Sequence, residues 1–321
     1  MATITDVSKL ANVSKATVSR VFSGSRGVKT QSRDAVLRAA EELNYRPNVA
    51  AQSLANQSSD YIGVILSSAD AGQVSTYLPL LARSLKEKGK HMLVHFADSK
   101  EEYVRLIDDL KQRYCDVIIT VGGDLPGDID DRVIAIDGRA NADHWAIGYD
   151  FSFACESACR FLCSQGHTSI ALVVDDESYA SQLVLEGYKT ALQNSSIPVN
   201  RQLIVRANNN SEQAIMALLN SYHPFTALIV MRDSQAAVAM KLFRDFNLAT
   251  PQEVSIMSLE DSPLASQLFP ALSCISYPSQ QLVDSAMEQL DACLSGKPVQ
   301  EQALISGRLV SRDSVVNRRQ P

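Results

Sequence analysis

The chain lacks an apolar run long enough to span a bilayer, and its first residues lack the charged-then-apolar pattern of a secretory signal. We therefore expect a cytoplasmic protein with no membrane partner. Its six cysteines include no Cys-x-x-Cys pair, and a chain of 321 residues needs no disulfide staples, so we expect reduced thiols.

Motifs typical of catalysis or metal binding are also missing. The glycine-rich segment 122–127 lacks the Lys-Ser/Thr pair of a P-loop, no Gly-x-Ser-x-Gly elbow occurs, and the five histidines show no metal-binding spacing. Cys155, Cys159 and Cys163 recur on one predicted helix face, where core packing is a better interpretation than a thiolate metal or redox site. We expect no catalytic residues, no metal and no cofactor.

What the chain does have is an uneven distribution of charge. Its net charge is −6, yet residues 1–59 hold eight lysines and arginines against four acids, whereas the rest holds 22 against 32. Local net charges of +4 and −10 suit a small basic module that contacts phosphates and an acidic body that does not. The length and the 45% hydrophobic content allow one small and one large domain.

The basic module carries the pattern of three short helices. Thr5 is expected to cap a helix over residues 6–11, Ser14 a second over 15–22, and a third runs over 32–43. The first two, joined by a tight turn, describe a helix-turn-helix. The first two helices are expected to share an apolar side, and the third helix turns its own apolar side inward. These residues are Val7, Leu10, Val13, Val18, Val21, Ala35, Val36, Ala39, Ala40 and Leu43.

In a helix-turn-helix the start of the second helix enters the major groove. Lys15, Ala16 and Arg20 are then the candidates for reading bases, because cationic side chains suit guanine acceptors and an alanine methyl suits thymine. Ser14, Thr17 and Ser19 are better placed for phosphates, which position the protein without specifying sequence. A three-helix scaffold with solvated cations is the alternative.

A fourth, short helix is expected after the third, capped by Asn48 and running over residues 49–56. It is too short to be stable alone, yet it presents Leu54. Two interpretations remain open: Leu54 is a wedge between base steps in the minor groove, or it packs on the large domain.

The segments Ala11-Asn-Val-Ser-Lys-Ala-Thr-Val-Ser-Arg-Val and Leu43-Asn-Tyr-Arg-Pro-Asn-Val-Ala-Ala resemble the headpiece of the LacI/GalR family of bacterial repressors. The resemblance implies that Lys15 and Ala16 select the operator, that Arg20 contacts bases and that Leu54 is the hinge-helix wedge. Thr5, Asn48 and Ala51 complete the expected DNA contacts. It also implies a homodimer, or a tetramer, on a pseudo-palindromic double-stranded operator, with a headpiece over 1–46, a hinge over 47–60 and an effector and dimerisation domain over 61–321.

From Tyr61 onward apolar strands alternate with amphipathic helices, which predicts an α/β domain of parallel sheets flanked by helices. Two sheets in two lobes are expected, with a ligand beyond the carboxyl ends of the strands. The ten candidate strands span residues 62–66, 92–96, 117–121, 133–137, 145–149, 170–174, 203–205, 227–231, 254–259 and 274–277.

This body resembles the same family's periplasmic-binding-protein-like domain through Gly166-His167, Glu186-Gly187-Tyr188 and Phe269-Pro-Ala-Leu-Ser. By resemblance, lobe one is about 61–165 plus 276–305. Three typical ligand positions depart from the family: Val184 stands where an arginine is common, Arg232-Asp233 replaces Asn-Asp or Asp-Asp, and Ser258-Leu-Glu-Asp replaces Gly-Phe-Asp-Asp. The remaining effector candidates are Asp150, Arg232, Glu260 and Tyr277. Arg232 either favours an anionic group or pairs with a neighbouring acid.

These patterns predict a transcriptional regulator, by default a repressor of a carbohydrate-utilisation operon, controlled by a sugar or sugar phosphate bound between the lobes. A regulator with a lost or unusual effector response is the alternative within this class. A solute-binding protein and a sugar-modifying enzyme with a DNA module are the alternatives outside it.

Overall fold

The structure, a computed structural model, describes residues 2–22, 27–45, 59–67, 71–97, 99–112, 115–122, 132–137, 145–175, 177–297 and 303–319. By their internal contacts the residues form two compact units, Met1–Asp60 and Tyr61–Pro321. The predicted short helix over 49–56 lies outside the described residues and stays a prediction.

The described part of the small unit contains three helices, α1 Ile4–Leu10, α2 Lys15–Phe22 and α3 Thr30–Glu42. Their core is centred on Val7, Val18, Val21 and Val36. The prediction that Leu10 faces this core is wrong, since 47% of that side chain is exposed. The first two helices with the turn between them confirm the predicted helix-turn-helix.

Two helix starts differ from the prediction. The first helix begins at Ile4, and its capping residue is Thr3 rather than Thr5. The Thr3 amide and hydroxyl both donate to the Asp6 carboxylate, at 2.9 and 2.7 Å. These hydrogen bonds cap the helix at Thr3, two residues before the predicted capping residue. The third helix begins at Thr30, also two residues before the predicted start.

The large unit contains two six-stranded sheets. The first has the order β11-β5-β4-β3-β1-β2. All of its strand pairs are parallel. Its strands are β1 Tyr61–Leu66, β2 His91–Phe96, β3 Cys115–Val121, β4 Val133–Ile136, β5 Trp145–Tyr149 and β11 Ala303–Ile305.

The second sheet has the order β12-β10-β9-β8-β6-β7, and only β12 is antiparallel to its neighbour, β10. Strands β6, β8 and β9 are buried along their whole length, as expected for parallel strands covered on both faces. The strands are β6 Ile170–Val174, β7 Ile204–Arg206, β8 Ala227–Val230, β9 Ser255–Ser258, β10 Ser273–Ser276 and β12 Arg308–Val310.

Helices connect most of these strands. In chain order they are α4 Ala71–Glu87, α5 Lys100–Gln112, α6 Phe151–Ser164, α7 Tyr179–Asn194, a 3₁₀ turn Arg201–Leu203, α8 Ser211–Asn220, α9 Asp233–Asp245, α10 Pro263–Gln267 and α11 Ser279–Leu294. The two-lobed α/β architecture is thereby confirmed. All ten predicted strands are present, with small differences at their ends.

One lobe boundary expected from the resemblance is wrong. The resemblance places helix α6 in lobe one, but the helix packs against α7 and against strands β8 and β10 of the second sheet. The reason is close helix packing: a Cβ at Gly187 in α7 would overlap the Ser152 carbonyl oxygen at the start of α6. Helix α11 packs on the first sheet and on α4, as expected.

The sequence analysis missed β11 and β12. Each is three residues long, and each is held by pairing with a strand far away in the chain. Such short segments carry no periodicity of their own. Among the described residues, no helix is both long and apolar enough to cross a membrane.

Candidate DNA-reading face and inter-sheet cleft

One face of α2 carries the residues predicted to read DNA. Lys15, Ala16, Ser19 and Arg20 are exposed, whereas Val18 and Val21 on the opposite side are buried in the headpiece core. This division follows the helical period, since positions i, i+1, i+4 and i+5 share a face. The core therefore fixes which side of α2 is presented to solvent.

The start of α2 is held by its own hydroxyl groups. The Thr17 amide donates to Ser14 Oγ at 3.1 Å, and the Ser14 and Thr17 hydroxyls lie 2.9 Å apart. Ser14 is thus the predicted N-cap. Each serine or threonine hydroxyl both donates and accepts, so this arrangement leaves capacity for a phosphate oxygen beside the helix start.

Three further predicted DNA contacts, Asn48, Ala51 and Leu54, lie outside the described residues and stay predictions. Thr5 is half-buried in the first turn of α1. Its carbonyl accepts the Ser8 hydroxyl at 3.0 Å, a contact internal to the helix. Its role in DNA contact stays a prediction as well.

In the large unit, polar and aromatic groups meet around Asp137, at the carboxyl end of β4 in the first sheet. The Tyr77 hydroxyl donates to Asp137 Oδ2 at 2.7 Å and lies 3.1 Å from the Tyr277 hydroxyl. The Tyr149 amide donates to Asp137 Oδ1 at 2.7 Å. Asp137 is the first residue after β4 and adopts a positive φ of 56°, a conformation that aspartate tolerates better than most residues.

Burial raises the pKa of Asp137 to about 6, above its ordinary value, although the hydrogen bonds from Tyr77 and Tyr149 and the charge of Arg232 oppose the shift. The side chain is in a position where its charged form is poorly solvated. A carboxylate of this kind gains from any additional donor or cation brought close to it.

The second sheet contributes an ion pair. Arg232 Nε donates to Asp175 Oδ2 at 3.0 Å, and both side chains are about one quarter exposed. Gln235 Nε2 donates to Asp175 Oδ1 at 2.6 Å, and its Oε1 accepts the Met231 and Arg232 amides. Arg232 was expected either to favour an anionic group or to pair with a neighbouring acid, and in the structure it pairs with Asp175.

Glu260 closes the start of α9. Its Oε2 accepts the Asp233 amide at 2.9 Å. Asp233 Oδ2 in turn accepts the Ser262 amide at 2.7 Å. Burial raises the pKa of the Asp233 carboxyl, against the hydrogen bonds that it accepts. Asp233 therefore holds the loop after β9 by a hydrogen bond. Glu260 belongs to the same loop and is part-buried.

The groups of the two sheets face each other. Burial is the largest cause that raises the pKa of the Tyr77 hydroxyl. The charge of Arg232 lowers this pKa and that of Glu260 raises it, so both charges lie near the hydroxyl. Arg232 also acts on Asp137. We name the space bounded by Tyr77, Asp137, Tyr277, Arg232 and Glu260 the inter-sheet cleft.

Three of the four predicted effector residues, Arg232, Glu260 and Tyr277, lie at this cleft. Asp150 serves as the N-cap of α6, where its Oδ1 accepts the Phe153 amide at 2.9 Å. Sequence analysis missed Tyr77, Asp137 and Asp175. Two of them had a usable signal, because Asp137 and Asp175 directly follow apolar strand segments, as ligand groups do in such sheets.

The departure at Val184 has a structural meaning. Its side chain lies on the buried side of α7 and is fully buried, so it forms no part of the cleft surface. Core packing of the three cysteines is confirmed: Cys155 and Cys159 are fully buried, and the partly buried Cys163 packs against the same core. No group of three histidine, cysteine or acidic side chains in the described part of the chain is arranged to hold a metal ion.

Comparison with protein families gives two matches. Residues 3–48 match the model described as bacterial regulatory proteins, lacI family, and residues 159–315 match the model of a periplasmic binding protein-like domain. The first match contains α1 to α3, and the second contains α7, Arg232, Glu260 and Tyr277.

Individual relatives extend these matches over the whole chain. The HTH-type transcriptional regulator AscG of Escherichia coli (strain K12) is 31% identical over 98% of this chain and 99% of its own length. GalR of Salmonella typhimurium is 31% identical over 98% of this chain and 96% of its own. A lac repressor dimer bound to operator and the anti-inducer ONPF is 25% identical, with a TM-score of 0.84 over 98% of this chain and 99% of that one.

Proposed function

Since the chain belongs to the LacI/GalR family of bacterial transcriptional regulators, we propose that it is a repressor with a DNA-reading headpiece and an effector-binding inter-sheet cleft. It acts as a regulator and not as an enzyme. Its proposed target is operator DNA, which lies in the bacterial cytoplasm, so we propose a cytoplasmic location. A homodimer on a pseudo-palindromic operator follows the lac repressor dimer, which was solved on its operator.

The observation that carries the DNA-reading role is the division of α2 into a buried and an exposed side. Lys15, Ala16 and Arg20 stand on the exposed side, at a helix that the LacI-family match includes. In the major groove, Lys15 and Arg20 would donate to guanine acceptors and Ala16 would contact a thymine methyl. Contacts to the DNA phosphate backbone would come from Ser14, Thr17, Ser19 and Thr5. Asn48, Ala51 and Leu54 would contact the minor groove.

Regulation requires that the cleft and the headpiece be coupled. A ligand bridging Tyr77 and Asp137 on one sheet to Arg232 and Glu260 on the other would favour one relative placement of the lobes. It shifts the equilibrium only as far as its affinities for the two states differ. Hydroxyl-rich ligands suit a site with several convergent donors and acceptors, so a carbohydrate-like effector is the proposed class.

The experiment that tests the DNA-reading role is selection of bound fragments from a random DNA library by the full chain. We expect a pseudo-palindromic consensus. Lys15→Ala should change the preferred base at one position of each half-site, because a base contact specifies whereas a phosphate contact weakens all sequences alike. Lys9→Ala is the matched control, an exposed lysine on α1. Uniform weakening by Lys15→Ala would contradict base reading by this residue.

A regulator without effector response is the second candidate function. It is favoured by one observation: Arg232, which departs from the family pattern at a typical ligand position, is engaged with Asp175. Thermal unfolding of the full chain with a panel of carbohydrates separates the candidates. A ligand that binds the folded state raises the unfolding temperature in a concentration-dependent way.

A further inference from the structure

Three side chains form a line of hydrogen bonds that ends at the inter-sheet cleft, and we name them the carboxylate–phenol relay. Asp137 follows β4, Tyr77 lies on α4, and Tyr277 follows β10. Asp137 Oδ2 lies 2.7 Å from the Tyr77 hydroxyl oxygen, which lies 3.1 Å from the Tyr277 hydroxyl oxygen. Only 3% of Tyr77 is exposed, whereas Tyr277 is half-buried, so Tyr277 is the phenol that a ligand in the cleft reaches more easily.

The protons of this relay have one favourable arrangement. An ionised carboxylate only accepts hydrogen bonds, whereas each phenol has one proton to donate. The Tyr77 proton goes to Asp137, because a charged oxygen at 2.7 Å is a stronger acceptor than a neutral oxygen at 3.1 Å. The Tyr77 oxygen is then the acceptor toward Tyr277, so the Tyr277 proton points at Tyr77.

The Asp137 carboxylate is held in the state and the orientation that this arrangement needs. Its Oδ1 accepts the Tyr149 amide at 2.7 Å, which directs Oδ2 to Tyr77. Burial raises the pKa of Asp137 to about 6, so the group is mainly ionised at neutral and higher pH. A backbone N–H and a phenol both donate to it, and Asp137 therefore accepts at both oxygens.

Neighbouring rings restrict the Tyr277 side chain. The Tyr277 ring centroid lies 4.3 Å from that of Tyr149 and 6.1 Å from that of Tyr77, whose ring stands at 89° to it. The Phe151 centroid lies 6.4 Å away. Since these rings hold the phenol in place, its hydroxyl keeps its direction toward Tyr77. Tyr277 then offers a ligand the lone pair of its oxygen and no proton.

We propose that Asp137, acting through Tyr77, keeps Tyr277 as a hydrogen-bond acceptor, so that one hydroxyl of the effector donates its proton to the Tyr277 oxygen. This polarity rests on the proposed function of the cleft as the effector site, and it makes Asp137 a positioning residue. A sugar hydroxyl meets the requirement. A fluorine at the same ring position does not, because it has no proton to donate.

The substitution Asp137→Asn reverses the relay with little change in shape. The Tyr149 N–H needs an acceptor, so the carbonyl oxygen of the new amide faces Tyr149 and its NH2 group faces Tyr77. The NH2 group donates to the Tyr77 oxygen, the Tyr77 proton turns to Tyr277, and the Tyr277 proton becomes available to the cleft. Tyr277 thereby changes from an acceptor into a donor. The matched control is Asp108→Asn, at an exposed position of α5.

Infrared difference spectroscopy of the full chain tests the relay without any ligand. The C–O stretching band of tyrosine, labelled with carbon-13 at the phenol carbon, differs between a hydroxyl that donates and one that accepts. At about pH 8, where Asp137 is ionised, the difference between Asp137→Asn and the wild type should contain a changed band. The band should be missing when the same pair carries Tyr277→Phe, and from the Asp108→Asn difference. An Asp137→Asn difference without a Tyr277 band would contradict the relay.

Calorimetric titration of the full chain with fluorinated sugars tests the polarity toward the effector. The probes are glucose, galactose and mannose, and their derivatives in which one hydroxyl at a time is replaced by fluorine. For the sugar that binds most tightly, we expect fluorine at one ring position to weaken binding to the wild type at least about tenfold, the effect of a polar group buried without its hydrogen bond.

The same titrations with variants of the relay assign this loss to Tyr277. In Asp137→Asn the loss at that ring position should shrink to about threefold or less, since Tyr277 now donates, while the losses at the other positions stay unchanged. Tyr77→Phe removes the acceptor of the Tyr277 proton and should shrink the same loss. Asp108→Asn should leave every loss as it is in the wild type.

Failure of this polarity is distinguishable from failure of the proposed function. A sugar that binds, but whose losses are the same in Asp137→Asn, Tyr77→Phe and the wild type, would overturn the polarity and leave the effector site in place. Failure of all three sugars to bind up to the millimolar range would overturn the carbohydrate assignment, and the donated hydroxyl with it. The operator consensus is selected without sugar, so the DNA-reading role is decided independently of both.

Discussion

The exposed face of α2 and the inter-sheet cleft both carry polar residues, but they hold them in different ways. On α2, Lys15, Ala16 and Ser19 extend from a helix whose opposite side is anchored by Val18 and Val21. In the cleft, by contrast, Asp137 and Arg232 are held by other polar groups, each from a different part of the chain. The first arrangement presents side chains to a large partner, and the second fixes them around a small one.

The two regions are expected to respond differently to substitution. A substitution on the α2 face changes what is recognised while leaving the headpiece core intact. A substitution in the cleft removes a partner from a neighbouring polar group, so recognition and local stability change together.

The largest effect is expected from Val36→Asp in the headpiece core. Val36 is fully buried, and an unpaired carboxylate there costs several kcal/mol, about the whole stability of so small a unit. Operator binding should be lost, while the thermal unfolding of the large unit stays unchanged. Leu37→Asp is the control at the next position, which is 48% exposed. If Val36→Asp lowered the unfolding temperature of the large unit as well, the two units would not be independent.

A second substitution addresses the large unit alone. Gly187→Ala places a Cβ against the Ser152 carbonyl oxygen and should force α6 and α7 apart. We expect a loss of about 1–3 kcal/mol in the free energy of unfolding, measured with urea, with DNA preference unchanged. Glu186→Ala, at an exposed neighbouring position of α7, should have little effect. Equal stabilities of the two variants would mean that this helix contact is not tight.

The pH dependence of stability tests the cleft. The pKa of Asp137 in the folded protein is raised to about 6, whereas an unfolded aspartate titrates near its ordinary value of about 4. The folded state therefore holds an extra proton between these values, and its stability falls as the pH rises from about 4 to about 6. Asp137→Asn should remove this fall, on the order of 1–3 kcal/mol after allowance for partial exposure. Asp108→Asn, at an exposed site on α5, should keep it; an identical pH profile in both variants would contradict the assignment.

The smallest effect is expected from Ser14→Ala. Loss of the cap to the Thr17 amide should cost the headpiece about 1 kcal/mol and weaken binding to all DNA sequences alike. Ser19→Ala, which removes an exposed hydroxyl that caps no helix, should leave headpiece stability unchanged. A changed base preference in Ser14→Ala would assign this residue to base reading instead.

The same contrast explains what could be predicted from the sequence. The α2 face and ten of the twelve strands in the described part of the chain follow from local periodicity, so their positions were predictable without knowledge of the fold. The LacI/GalR motifs around Lys15 lie within one short segment, and the match over residues 3–48 supports them. The start of α1 was misplaced because Thr3 and Thr5 both suit a cap, and the Asp6 side chain decides between them.

The cleft was predictable only in part. Arg232, Glu260 and Tyr277 were found through the family pattern, but their partners depend on which strands become neighbours. Asp175 and Arg232 are separated by 57 residues, and Tyr77 and Tyr277 by 200. No local pattern fixes such pairs. The assignment of α6 to lobe one failed for the same reason, since its packing against α7 is a tertiary contact.

A regulator of this kind requires coupling between the cleft and the α2 face, and operator affinity measured with and without a bound ligand tests this coupling directly. The ligand is the sugar that calorimetry shows to bind most tightly, and the DNA is the selected consensus. We predict that the ligand changes the operator dissociation constant of the full chain at least about tenfold, a coupling free energy of roughly 1.4 kcal/mol. Under the same conditions, Glu260→Gln should reduce this change. A ligand that binds the cleft and leaves operator affinity unaltered would contradict the account.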